Sequence, residues 1–179
     1  TNAFGGAFLD DFKTAYPGTF GVEHPNLLLS ISQISETLFI LTIPFFLHRF
    51  GIKKVMLISI FAWVFRFGLF AAGDPGAGLW MLVLSMIIYG MAFDFFNISG
   101  ALFVDRESES HIRASAQGLF MIMTNGLGAF VGGMASGWVV EHFTANDVKD
   151  WQSIWLTLAG YALILGIVFP LVFKYRHDP

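Results

Sequence analysis

The chain has 179 residues, 55% hydrophobic and 17% aromatic but only 13% charged, against about 25% charged in an ordinary soluble domain. That deficit, with a mean hydropathy of +0.66, selects an integral membrane protein whose first partner is the lipid bilayer. A net charge of −3 offers no basic patch for nucleic acid, and the lack of cysteine excludes a disulfide framework or a Cys-based metal site or nucleophile.

Thr1 to Leu9 reads as the last turns of a helix. The opening "TNAFGGAFLDDF" has no initiator Met, basic n-region or cleavage site, so it is not a signal peptide. The expectation is a fragment of a longer chain. A spanning helix needs about 20 mostly apolar residues, and successive windows meet that length. The first runs from Leu27 to Leu47, bounded by His24-Pro25 and His48-Arg49. The second, Val55 to Ala72, follows Lys53-Lys54 and ends at the turn signal "GDPGAG". Leu79 to Val104 comes next, about 39 Å long if wholly helical, which exceeds a core of roughly 30 Å and predicts tilt or protrusion. Ala114 to Val140 and Ile154 to Phe173 complete the set. The fold class is therefore all-α, with five full spans and the end of one more.

Lys and Arg in the loops set the orientation. Under strict alternation Arg49, Lys53, Lys54, Arg106, Arg113, Lys174 and Arg176 share one side, which predicts that side and the C-terminus to be cytoplasmic. Lys13 and Lys149 fall on the other side among seven acids.

Glu36, Arg66 and Asp94 are the charges inside the proposed spans. An Asp at a helix centre costs roughly 2.5–3.5 kcal/mol on insertion scales, and such residues face a bundle interior or a wet cavity. Helical spacing gathers Tyr89, Phe93, Asp94 and Asn97 on one broad stripe, and puts Gln33 one turn before Glu36. Asn2 adds a further amide on the first helix. Amides and carboxylates pair with hydroxyls and heterocycle edges, and aromatic rings offer a face to a flat ligand. No large positive field is present for a phosphorylated substrate. The set suits a neutral polar ligand with a ring and vicinal hydroxyls, and a sugar nearly as well. Arg66 is read as structural, snorkelling to the interface or pairing with an acid.

The span from Ala114 to Val140 repeats small residues every four positions, with Gly128, Gly132 and Ser136 on one row and Gly133 and Gly137 on another. This spacing predicts close helix packing, against a moving partner in one reading. Gly118, Asn125 and Gly126 could allow a bend there. Pro44 and Pro170 are expected to bend their helices locally.

The runs "SISQISETLFILTIPFFL", "RFGIKKVM", "YGMAFDFFNISG" and "IRASAQGLFMIMTNGLG" closely resemble the nucleoside:proton symporters of the major facilitator superfamily. The resemblance extends from Thr1 to about Tyr175 and is weakest in the loops Phe12–Leu27 and Thr144–Asp150. "RFGIKK" looks like a degraded copy of the superfamily's loop motif without its aspartate. The resemblance implies that residues 1–179 form the C-terminal six-helix half of a twelve-helix transporter, from within helix seven to helix twelve. The N-terminal six-helix half would be its partner. Helices seven, eight, ten and eleven would line a central cavity, with nine and twelve peripheral. It also implies nucleoside contacts at Asn2, Gln33, Glu36, Tyr89, Phe93 and Asp94, and residence in the bacterial inner membrane.

The function expected is proton-coupled nucleoside uptake by alternating access, with no enzymatic activity and no cofactor or metal. A carrier of sugar or another small neutral solute is the alternative. A site that alternates between dry and wet favours in turn the neutral and the charged form of a carboxyl group. Asp94 is the first choice as proton carrier and Glu36 the second. An intramembrane protease with a Glu36–Asp94 pair is the rival from another class, but "GMAFD" does not fit the "YD" and "GxGD" settings of such enzymes. A scaffold or receptor without transport is a further rival.

Overall fold

A computed structural model describes the backbone of residues 2–175 and the side chains of residues 4–175. Its helices are α1 (Asn2–Asp11), α2 (Phe20–Glu23), α3 (Pro25–Ala72), α4 (Leu79–Glu107), α5 (Arg113–Met121), a π-helical turn (Ile122–Gly128), α6 (Ala129–His142) and α7 (Trp151–Val172). Two short strands, β1 (Thr144–Ala145) and β2 (Val148–Lys149), pair antiparallel before α7.

The 48 residues of α3 are two spans joined at one residue. Gly51, at φ 76° and ψ 166°, is the non-helical position inside it, in a backbone region that is essentially closed to side chains. The chain folds back there. Leu28 and Phe70, from opposite ends of α3, share one hydrophobic cluster, and Ile43 and Val55 share another. The arms, residues 25–50 and 52–72, match the spans expected at Leu27–Leu47 and Val55–Ala72. The other expected spans fall on α4, on α5 through α6, and on α7, with ends shifted by a few residues. Pro44 leaves its helix unbroken.

Loops gather at the two ends as alternation requires. At one end Asp11 accepts hydrogen bonds from Lys149 Nζ at 2.7 Å and Trp151 Nε1 at 2.9 Å. Asp74 there turns the "GDPGAG" loop by accepting from the amides of Gly76 and Gly78. Asn146 and Asp147, at φ 52° and 61°, close the β1–β2 hairpin with the left-handed pair that a two-residue loop demands. Asp150 then caps α7. The Ser153 hydroxyl at 2.6 Å and its amide at 3.1 Å hold this carboxyl below the usual carboxylate range. Because the folded value is depressed, the cap stabilises fully above the ordinary range and is lost as pH falls through the depressed value. At the other end Lys53 Nζ donates to the Pro170 carbonyl at 3.0 Å, and Arg113 pairs with Asp105 at 3.3 Å.

Two apolar clusters bind the helices. Phe8, Leu28, Phe70, Leu82, Trp151 and Trp155 join α1, both arms of α3, α4 and α7, and Ile43, Val55 and Phe95 join α3 to α4 nearer the other end. The helix from α5 through α6 differs, since none of its residues is buried. Gly118, Gly132, Gly133 and Gly137 have open space where a Cβ would stand. The expected close packing of this small-residue face is therefore not made by the described residues of this chain. Asn125 and Gly126 lie in the π turn, whereas Gly118 sits in regular α-helix.

Gly51→Ala should lower the stability of the folded protein by about 1–3 kcal/mol through strain at the α3 reversal. The thermal midpoint of detergent-purified protein measures this, and an unchanged midpoint would show that the turn tolerates a side chain.

Candidate functional site

The site begins where two helices touch through their backbones. A Cβ on Gly90 of α4 would lie 2.7 Å from Ser35 O and Glu36 N on the first arm of α3, so only glycine permits this approach. Small hydroxyls fasten the seam around it. Ser35 Oγ donates to the Ile87 carbonyl, and Ser32 Oγ donates to Met86 Sδ at 3.2 Å. Ser59 Oγ, on the second arm, donates to the Ala92 carbonyl at 2.5 Å.

This contact brings the two acids together. Glu36 is half-buried at the seam and lies within electrostatic reach of Asp94. Asp94, one turn beyond Gly90, is 8% exposed, and its Oδ2 has no hydrogen-bond partner among the described residues. A buried carboxylate oxygen without a donor is energetically unfavourable, so it is a natural acceptor for a ligand hydroxyl or a proton. Tyr89 is buried and stacks on Phe93, with ring centroids 5.7 Å apart and planes at 17°. Phe93 is 38% exposed and forms the outer face of that stack.

Gln33 is exposed one turn before Glu36, while Asn97 spends its amide on the Phe93 carbonyl of its own helix at 2.9 Å. The side chain of Asn2 lies outside the described residues. The structure thus brings Glu36, Tyr89, Phe93 and Asp94 together and sets Gln33 on the same helix as Glu36. An apolar groove of about 490 Å³ lined by Phe50, Lys54, Phe61, Phe65 and Met91 contains neither acid and does not define the site.

Arg66 does not snorkel. It is 1% exposed, its Nη1 donates to the Ser85 carbonyl at 2.6 Å, and its guanidinium carbon lies 4.4 Å from the centre of the Tyr89 ring. Ser85 Oγ returns a bond to the Arg66 carbonyl at 3.3 Å. Sequence reasoning allowed for an acid partner but could not find Ser85 or the ring contact. The period of one helix does not say which residue of another it meets.

The sequence matches the model of the Nucleoside H+ symporter family over residues 1–178. The chain belongs to that family. It is 59% identical to the xanthosine permease of Escherichia coli K12 over 100% of this chain and 44% of that protein. It is 58% identical to the nucleoside permease NupG of the same organism over 99% of this chain and 43% of that protein. The crystal structure of the nucleoside transporter NupG superposes with a TM-score of 0.93 at 57% identity, covering 98% of this chain and 44% of that one. The chain thus has the major facilitator fold of that structure and spans less than half the length of its relatives. These relatives are permeases, so the family membership leaves the intramembrane-protease reading without support.

Gly90→Val should force the α3 and α4 backbones apart and destabilise by about 1–3 kcal/mol or more. Gly68→Ala, where nothing lies within 4 Å of the added Cβ, is the control. Equal thermal midpoints for the two variants would mean that the Gly90 seam is not a tight contact.

Proposed function

We propose that residues 1–179 are the C-terminal half of a proton-coupled nucleoside transporter of the bacterial inner membrane, with the C-terminus in the cytoplasm. The N-terminal six-helix half would be the partner of this half. The observation that carries the reading is the pair of acids, Glu36 and Asp94, held at one backbone seam beside the Tyr89–Phe93 stack. Names of the relatives, xanthosine permease and nucleoside permease, favour a nucleoside over a sugar. The unburied face of α5 through α6 is consistent with a further set of helices beside it.

In this mechanism Glu36 or Asp94 accepts hydrogen bonds from the ribose hydroxyls. Gln33 and Asn2 read polar edges of the ribose or base. Phe93 packs on the flat base with Tyr89 behind it, an arrangement that serves purines and pyrimidines alike because both present an apolar face. Two halves rocking about this midplane site would expose it to each side in turn. The proton rides on one of the two carboxyls, with Asp94 preferred because it is the more buried and has an unpartnered oxygen. Its neighbour Glu36 couples the proton to the ligand, since the two acids stand at one backbone seam and the charge of Glu36 reaches Asp94.

Asp94→Asn in the full-length transporter should reduce proton-driven nucleoside uptake into vesicles by an order of magnitude or more (about 10-fold is 1.4 kcal/mol). Undiminished proton-coupled uptake would remove Asp94 from the mechanism. Phe93→Ala should weaken binding of purine and pyrimidine nucleosides about 5- to 10-fold through lost stacking and apolar area. An unchanged affinity in a binding titration would reassign Phe93 to packing.

A further inference from the structure

Arg66 places a guanidinium group within a membrane-spanning segment, on the arm of α3 that the family resemblance makes peripheral. Its side chain nevertheless points inward. Around the guanidinium stand three aromatic rings, Tyr89 at 4.4 Å, Phe70 at 5.2 Å and Trp63 at 5.9 Å to their centroids. Nη1 is bonded to the Ser85 carbonyl, whereas Nε has no hydrogen-bond partner among the described residues. Glu36 lies within electrostatic reach. A guanidinium buried with one carbonyl and an unpaired N–H is a poor structural staple. An apolar side chain of similar size would fill the same space without desolvating a charge.

The ring contacts follow a direct line to the site. Arg66 lies over one face of the Tyr89 ring, Tyr89 stacks on Phe93, and Trp63 meets Tyr89 edge-on at 5.8 Å and 86°. Arg66 and Trp63 therefore fix the plane of Tyr89 from behind, and that plane sets the tilt of Phe93 at the exposed end. A cation over a ring resists rotation of that ring because the attraction depends on facing its negative centre.

We propose that Arg66 is a positioning residue of the site. It holds the Tyr89–Phe93 stack at the angle that receives the base. The inference rests on the reading of this site as a nucleoside site. It extends that reading to a residue that touches no ligand.

The test is a double-mutant cycle in the full-length transporter, read by nucleoside binding titration and by uptake per folded protein. Arg66→Met should weaken binding about tenfold with a smaller effect on maximal uptake rate, and Arg66→Lys should recover all but about threefold by restoring a cation over the ring. In a Tyr89→Leu background, Arg66→Met should cost less than about threefold, because the ring through which it acts is gone. Losses that multiply independently, or a Lys variant no better than Met, would reduce Arg66 to a staple between α3 and α4. If Arg66→Met fails to fold, Arg66→Gln, which keeps a donor for the Ser85 carbonyl but no charge over the ring, takes its place in the cycle with the same expected losses. Failure of the unmodified transporter to bind nucleoside would overturn the site reading and this inference together. Normal binding with an additive cycle would overturn this inference alone.

Discussion

The meeting of two backbones at Gly90 governs the rest of the molecule. With no Cβ on α4 at that point, the first arm of α3 comes within van der Waals reach of its main chain. The Ser35 hydroxyl bridges the seam to the Ile87 carbonyl, while Ser59 ties the second arm to the Ala92 carbonyl. Close approach through small residues is how helices associate where lipid provides no hydrophobic driving force between them. Here it has a chemical consequence. Glu36 follows Ser35 at the contact and Asp94 lies one turn past Gly90, so this backbone seam is also where the charge of Glu36 reaches Asp94.

Polar side chains fall between the two apolar clusters along three helical segments. On the first arm of α3 Glu36 lies between Leu28 and Ile43, on α4 Tyr89 lies between Met86 and Phe95, and on the second arm Arg66 lies between Val55 and Phe70. Asp94 adjoins Phe95 of the Ile43–Val55–Phe95 cluster. A membrane protein tolerates ionisable groups at depth where they face one another or a wet interior, and a layer bracketed by packed aromatics provides that setting. The aromatic residues close to it have two roles. Phe70 packs on Trp155 with centroids 4.6 Å apart while also facing Arg66, so the structural cluster and the charged layer share a wall.

The helix from α5 through α6 contributes little to this bundle. Gln117 reaches the Ala101 carbonyl at 2.7 Å, Phe120 packs against Gly100, Arg113 pairs with Asp105, and Val139 and Val140 rest on the cluster around Trp155, but none of its residues is buried. Its π turn, Ile122–Gly128, widens the helix at mid-length, and such turns recur at functional sites. The helix is apolar enough to span a bilayer and yet has no buried residue in this chain.

The sequence determined the class, the number of spans, their ends to within a few residues, and the identity of the intramembrane charges. Each of these depends on local composition and on the cost of placing charge in hydrocarbon, which a linear reading can weigh. It also supplied the candidate ligand residues, because helical period alone aligns Tyr89, Phe93 and Asp94 and alone puts Gln33 before Glu36. What period cannot express is the rotation and depth of one helix against another. That relation made Glu36 a neighbour of Asp94, turned Arg66 inward onto Tyr89, committed Asn97 to its own helix and left the glycine rows of α6 without a partner among the described residues. Only tertiary structure decided these, since each depends on which backbones can approach, and a missing Cβ at Gly90 acquires meaning only when the opposing chain is in place.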